Sequence, residues 1–358
     1  MLFNMPVIPD ERVIETLNRH ANSFYSCHFS LYAEDIFDCR HRLEFIETGR
    51  WIDLLASLNI PRKFLLVNSR AHTHGAYFDP DHLLRVTNIL RSMLKSQVID
   101  GVIFADAYLL RAISDAAGDE VSELQAIPSI NCVLDTYDRI AGMLEFIAST
   151  RFRLPETLIL DRSLNRRPDA LKEVSARCRK ALPKVKLELL ANEGCLYHCP
   201  YKLTHDCHIA MLNMGHPLDT YRINRELGCV RTLQENPSNL FKSPFIRPED
   251  VSAYQPYVDV LKLCGRTLGA TFLMRVVDAY LSGKYSGNLL DLMDAMDATA
   301  KWLHVSNDSL PSDLLQRLLT CSRECSACSY CGGLIKSCAK KKAVSLSIPP
   351  CRDERDAP

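Results

Sequence analysis

Net charge is the first thing this chain lacks: 43 basic and 43 acidic side chains balance over 358 residues. A chain so balanced has no global attraction to polyanions, so charge gives no reason to expect a nucleic-acid partner. The run Lys340-Lys341-Lys342 then reads as a solvated tail. Glycine and proline are sparse, at 14 and 18 residues, beside 47% apolar side chains. That usage excludes a fibrous or disordered chain and implies a packed core. Apolar runs such as Gly101 to Ala105 are strand-length and fall far short of the roughly 18 residues of a membrane span. Met1 to Asp10 carry neither a basic leader nor a long apolar run, so the expectation is a cytoplasmic chain with no membrane partner. Several catalytic motifs are missing too. There is no Gly-x-Ser-x-Gly elbow and no His-Glu-x-x-His helix, and no glycine-rich turn of the dinucleotide type follows an early strand.

Against these absences stand fifteen cysteines. In a reducing compartment they do not read as structural disulfides, and in a chain of this size they point to metal ligation or redox chemistry. Cys27, Cys132 and Cys178 sit singly in strand or helix patterns and read as small buried hydrophobes. The others fall into two groups, and the architecture decides where each group sits.

Short β-rich runs alternate with longer amphipathic stretches up to about Tyr280. Eight strands are expected: Leu2 to Met5, His28 to Ala33, Phe64 to Arg70, Val102 to Ala105, Ile127 to Cys132, Thr157 to Asp161, Val185 to Ala191 and Asp259 to Cys264. Helices are expected between them, including Pro9 to Ala21, Arg40 to Leu58, Pro80 to Lys95, Thr136 to Ser149, Pro168 to Leu182 and Thr267 to Leu281. Asp79-Pro80 and Asp135-Thr136 are helix-start signals. This pattern predicts an α/β fold, a (β/α)8 TIM-like barrel, with an open doubly wound sheet as the competitor. The barrel is assigned to residues 1–285, including a long insertion after strand seven at 192–255. Residues 286–358 read as a helical extension, helical near Asp291 to Leu303, followed by a cysteine-rich metal-binding tail. An insertion this long is expected to be functional.

The first group opens at Cys195-Leu-Tyr-His-Cys199-Pro200, just past strand seven, so its thiols emerge at the C-terminal mouth, where barrel enzymes keep their sites. Cys229 is favoured as a third ligand of a [4Fe–4S] cluster there. The fourth is left open among Cys207, Cys264 and Cys39. The second group is Cys321, Cys325, Cys328 and Cys331, with Cys338 seven residues on. Its repeated two-residue gaps suit a second iron–sulfur cluster, and zinc is the alternative. Cys321 to Cys328 also has the C-x-x-x-C-x-x-C spacing of radical S-adenosylmethionine enzymes, but it lies beyond the barrel, and Cys331 could fill the open iron position.

At Asn192 to Pro200, Lys242-Ser-Pro-Phe-Ile-Arg247-Pro-Glu249-Asp250 and Lys262-Leu-Cys264-Gly265-Arg266, the sequence resembles the collagenase-like peptidase family of unassigned catalytic type, family U-thirty-two. The resemblance runs over nearly the whole chain. It implies an iron–sulfur barrel, since several members are associated with oxygen-independent hydroxylation of quinone precursors or of pyrimidines in RNA. It also implies that Cys195, Cys199 and Cys229 are cluster ligands. Two departures are the three-residue gap between Cys195 and Cys199, and Cys264 where a small apolar residue is expected.

Other candidates border the same mouth. Arg247 and Arg266 could grip a substrate carboxylate or phosphate in a bidentate fork, while Glu249 and Asp250 read as helix-start carboxylates. His205 and Asp206 are the catalytic candidates, the carboxylate orienting the ring. His72, His74, His198 and His208 are lesser acid–base candidates, and Asp106 and Asp161 are weaker ones for substrate hydrogen bonds. The expected function is an iron–sulfur oxidoreductase or hydroxylase with an electron donor, and with a small-molecule substrate favoured over RNA. The alternatives are a hydrolase with structural metal sites and a non-catalytic partner of a second barrel protein.

Overall fold

The structure is a computed structural model that describes residues 1–32, 38–40 and 46–342. Parts of two expected elements, near Ala33 and over 41–45, and the end of the tail at 343–358 lie outside the described residues. Eight parallel strands form the sheet: β1 (Leu2–Val7), β2 (Phe24–Phe29), β3 (Lys63–Val67), β4 (Gly101–Phe104), β5 (Gln125–Pro128), β6 (Thr157–Ile159), β7 (Lys186–Leu190) and β8 (Val260–Lys262). Their order, β5-β4-β3-β2-β1-β8-β7-β6, runs in register around a ring. Between β5 and β6 the ladder is carried by the residues just before β6: Ala126 N–H donates to the Arg153 carbonyl at 3.1 Å, and Arg153 N–H to the Leu124 carbonyl at 2.9 Å. The sheet is thus a nearly closed (β/α)8 barrel.

The strands form where the sequence offers short apolar runs that can be buried on both faces, as parallel strands require. β2 begins four residues earlier than expected because Phe24 pairs with Phe3 and Ser26 with Asn4. Its small and polar residues, Ser26 and His28, are buried rather than part of a loop. The helices start where capping side chains are available. Asp79 accepts from Asp81 N–H ahead of Pro80–Lys95, Asp106 from Tyr108 and Leu109 N–H ahead of Ala107–Ala117, and Thr136 from Arg139 N–H ahead of Tyr137–Ala148.

The barrel interior is divided. Phe64, Leu66, Ile103, Ile127 and Ile159 form an apolar half. Asn4, His28, Glu188 and Lys262 are all buried on β1, β2, β7 and β8, on the other side.

The 192–255 insertion holds three helices, Lys202–Asn213, Thr220–Glu226 and Cys229–Glu235. The stretch read as helical, Asp291 to Leu303, instead contains a 3-10 turn (Leu289–Leu292), a four-residue helix (Asp297–Ala300) and the start of strand β9 (Leu303–Val305). β9 pairs antiparallel with β10 (Ala339–Lys341). The extension then returns to the mouth: Gly194 N–H donates to the Asp294 carbonyl and Asp294 N–H to the Asn192 carbonyl, both at 2.8 Å. No helix among the described residues is long and apolar enough to cross a membrane.

Gly265, directly after β8, sits at φ +119, and a Cβ there would lie 2.1 Å from Phe272 Cε1. This turn aims Arg266 back over the mouth. Gly265→Ala combines backbone strain with overpacking and is expected to cost on the order of 3 kcal/mol. Urea unfolding measures this; an unchanged midpoint would mean that the ring and backbone yield freely.

Candidate active site at the barrel mouth

The floor of the site is a buried polar cluster. Asn4 Nδ2 donates to both carboxylate oxygens of Glu188 at 3.0 and 3.1 Å. His28 Nδ1 lies 2.7 Å from Asn4 Oδ1 and 3.0 Å from Lys262 Nζ, and Lys262 stands 3.8 Å from Glu188. Burial is the main cause of the shifts here. It pulls Lys262 down to about 8 against the opposing pull of Glu188, drives His28 well below its ordinary value, and raises Glu188 above the usual carboxylate range. His28 is therefore neutral, and Lys262 titrates close to physiological pH.

Above the floor, Lys262 and His28 open onto a small chamber of about 70 Å³ lined also by Arg40, Lys202, Arg266, Glu193, Asp206, Asp294 and the thiols of Cys39, Cys195 and Cys264. Ion pairs tie the wall together across the chain. Arg40 reaches Asp294 at 2.7 Å, Arg162 reaches Glu193 at 2.5 Å, and Arg266 grips Asp38 through two nitrogens. Lys202 bonds Asp206 at 2.5 Å, with Arg70 at 3.6 Å from the same carboxylate. Asn192 is the keystone between β7, β8 and the extension: its Nδ2 donates to the carbonyls of Cys264 and Leu292, and its Oδ1 accepts from Cys264 N–H at 2.7 Å.

Burial pushes the Cys195 thiol up, with Glu193 adding to it and Arg162, Lys202 and Arg40 opposing, and it also raises Cys264 strongly. Cys199 and Cys229 are raised by burial too, and Cys229 further by Cys199, so these two lie near each other. Cys207 stands on the Lys202–Asn213 helix. Among the described residues, no three His, Cys, Asp or Glu side chains converge in a metal-holding arrangement. The mouth thus gathers Cys39, Cys195 and Cys264 on one chamber, with Cys199 and Cys229 as a neighbouring pair.

Arg266 reaches the chamber as expected, whereas Arg247 does not. Pro248 begins a 3-10 helix, and the Arg247 guanidinium closes on Asp250 at 2.8 and 3.0 Å, lining a separate, wider cavity of about 1120 Å³. Glu249 is spent there on Tyr285 N–H and Asn307 Nδ2. His205 and Asp206 both line the chamber, but the carboxylate turns to Lys202 and Arg70 while the ring meets Asn224 Nδ2 at 3.2 Å. Asp106 pairs with His72 at 2.9 Å and caps a helix, and Asp161 caps the 3-10 turn Arg162–Arg166. His74 packs at a tilt against Phe78, and His198 meets Tyr197 edge to face. The tail thiols Cys321, Cys325, Cys328 and Cys331 line a third cavity of about 670 Å³, while Cys338 is buried and donates to the Ser309 carbonyl.

Sequence reasoning passed over Lys262, Glu188, Asn4, His28, Arg40, Glu193, Lys202 and Asp294. A signal existed for two of them. The charged residue inside Lys-Leu-Glu-Leu-Leu and that inside Val-Leu-Lys fall at strand positions whose neighbours are apolar and buried.

No family model matches the chain. A solved structure, the U32 peptidase Mk0906, superposes with a TM-score of 0.48 at 14% identity, covering 74% of this chain and 93% of that one. In sequence, 314 residues are 28% identical to the uncharacterized protease MJ1657 of Methanocaldococcus jannaschii, covering 84% of this chain and 87% of that protein. The chain is thus similar to that protease over most of the length of both. Two of the three motif segments come together in space: Asn192 to Cys195 and Lys262 to Arg266 share the chamber, while Arg247 to Asp250 stand outside it.

The floor makes a direct prediction. Lys262→Met leaves the Glu188 carboxylate buried without its ammonium and is expected to destabilise by about 3–5 kcal/mol at pH 7. Glu188 already has a raised folded value, so its burial costs nothing extra while the group is protonated, below the unfolded value, and the cost grows as pH rises from there to the folded one. The loss should therefore shrink toward pH 4. Adding Glu188→Gln should restore most of it, as read by denaturant unfolding of the two single variants and the double. Simple additivity of the two single losses would refute the coupling.

Proposed function

We propose that this chain is an enzyme that uses an iron–sulfur cluster at the barrel mouth for redox chemistry, hydroxylation without oxygen or a related step, on a small anionic substrate. The observation that carries the reading is the joint presence of three thiols and several cations on one chamber. Lys262 and Arg266 face it, while their counter-charges Glu188 and Asp38 stand behind them. Thiols suit a soft metal, and nearby cations offset the negative charge of a thiolate-bound cluster. Cys195, Cys199 and Cys229 would hold it, with Cys207, Cys264 or Cys39 as the fourth ligand. When bound, such a cluster supplies one-electron transfer.

The chain's own residues do the rest. Arg266, held rigid by Asp38, offers a fork to a carboxylate or phosphate. Lys262 can hold or release a proton at Nζ near neutral pH, and closing the chamber around a substrate strengthens both interactions by excluding water. The same reading takes an electron donor as partner, which a second barrel protein of the family could supply. It also takes a reducing, cytoplasmic location, in keeping with fourteen free cysteines among the described residues.

The protease name of the Methanocaldococcus relative favours a second reading, a peptidase with structural metal sites. The sequence weighs against it, having no Gly-x-Ser-x-Gly elbow and no His-Glu-x-x-His helix.

Iron, sulfide and electron paramagnetic resonance on anaerobically purified protein decide between the readings. Cys195→Ala and Cys199→Ala are expected to lose iron and sulfide that Cys328→Ala keeps. If no iron binds at the mouth even after anaerobic reconstitution, the redox reading fails and cleavage of peptide substrates becomes the assay to pursue.

A further inference from the structure

Residues 320–329, Thr-Cys-Ser-Arg-Glu-Cys-Ser-Ala-Cys-Ser, are all exposed, so no apolar side chain anchors them in the core. Yet the segment is tightly wound. Cys325 N–H donates to the Arg323 carbonyl at 2.9 Å, Ala327 N–H to the Glu324 carbonyl at 3.1 Å, and Arg323 takes up a left-handed backbone at φ +64. An exposed loop of this kind gains order from a cross-link between its side chains.

The thiols supply the means. Cys321, Cys325, Cys328 and Cys331 line one cavity. Arg323 N–H donates to Cys321 Sγ at 3.3 Å. Lys242, Lys336, Arg166 and Arg317 line the same cavity and offset the charge that four thiolates around a divalent ion leave behind.

We propose that Cys321, Cys325, Cys328 and Cys331 form a four-thiolate centre for a soft metal, zinc or an iron–sulfur cluster, that fixes Arg323 onto the loop carrying Cys195 and Cys199. Arg323 lies between the first two of these cysteines. Its guanidinium stacks over the Tyr197 ring at 4.2 Å and donates to the Arg166 carbonyl at 2.7 Å. Tyr197 stands midway between Cys195 and Cys199, so the centre braces the mouth loop from outside. Binding of zinc exchanges four thiol protons for one divalent ion, and the sulfurs draw together as they lose those protons. The site does not depend on the redox reading of the mouth and can hold where that reading fails.

The test is metal and sulfide content of the full chain purified without oxygen, for the parent, Cys325→Ser/Cys328→Ser and Cys195→Ala. One zinc per chain, or iron matched by sulfide, lost from the double variant and kept in Cys195→Ala, supports the centre and says which metal it takes. Cobalt titration of the reduced, metal-free parent is the second measurement and needs no variant to fold; tetrahedral thiolate absorption is expected. Limited proteolysis should then cut the 195–199 loop faster in Arg323→Ala and in chelated parent than in loaded parent. A parent that carries neither metal and binds no cobalt, or that holds these cysteines as disulfides after anaerobic purification, would overturn the proposal.

Discussion

A lysine and a glutamate buried inside the barrel constrain the rest of this molecule. Lys262 and Glu188 sit on neighbouring strands, in a lumen whose other half is filled by Phe64, Leu66, Ile103, Ile127 and Ile159. Charges so placed are tolerated only when their partners are held in position, and Asn4 and His28 complete the set from β1 and β2. Four strands must therefore keep one register for the interior to be satisfied. The same requirement sets a proton-bearing group at the base of the mouth, because burial leaves Lys262 close to neutral titration. A feature demanded by packing thus doubles as a chemical resource.

The mouth is assembled from pieces remote in sequence. Asp38 and Arg40 follow β2, Glu193 and Cys195 follow β7, Arg266 follows β8, and Asp294 arrives from the C-terminal extension. The extension is therefore part of the site's wall and not a separate appendage to it. Asn192 secures that arrangement by bonding the end of β8 and the extension at once.

Much of the architecture was legible because it depends on local patterns. Pro80–Lys95 follows its Asp79-Pro80 signal to the residue, and the buried runs of β3, β4 and β7 announce themselves as strands. β2 was misplaced because Phe24 to Cys27, with Ser26 among them, do not stand out as strand until a polar lumen is known to receive the serine. The candidate site was legible in part. Cys195, His205, Asp206 and Arg266 line the chamber, as their places after β7 and β8 suggested. Arg247 looked equally eligible but is captured by Asp250 three residues away, an interaction that loop sequence alone does not rank above solvent or substrate.

By itself the sequence determined the alternation of strands and helices, and hence a barrel, together with the spacing that brings the four tail thiols to one cavity. These depend on residues a few positions apart, where helix and strand periods and short turns leave little freedom. Tertiary structure alone decided which charges meet. Asn4 and Glu188 are 184 residues apart, and Arg40 and Asp294 are 254 apart. Period and spacing say which way a side chain faces, but its partner across the barrel is chosen by strand order, register and ring closure, which emerge only when the whole chain packs at once.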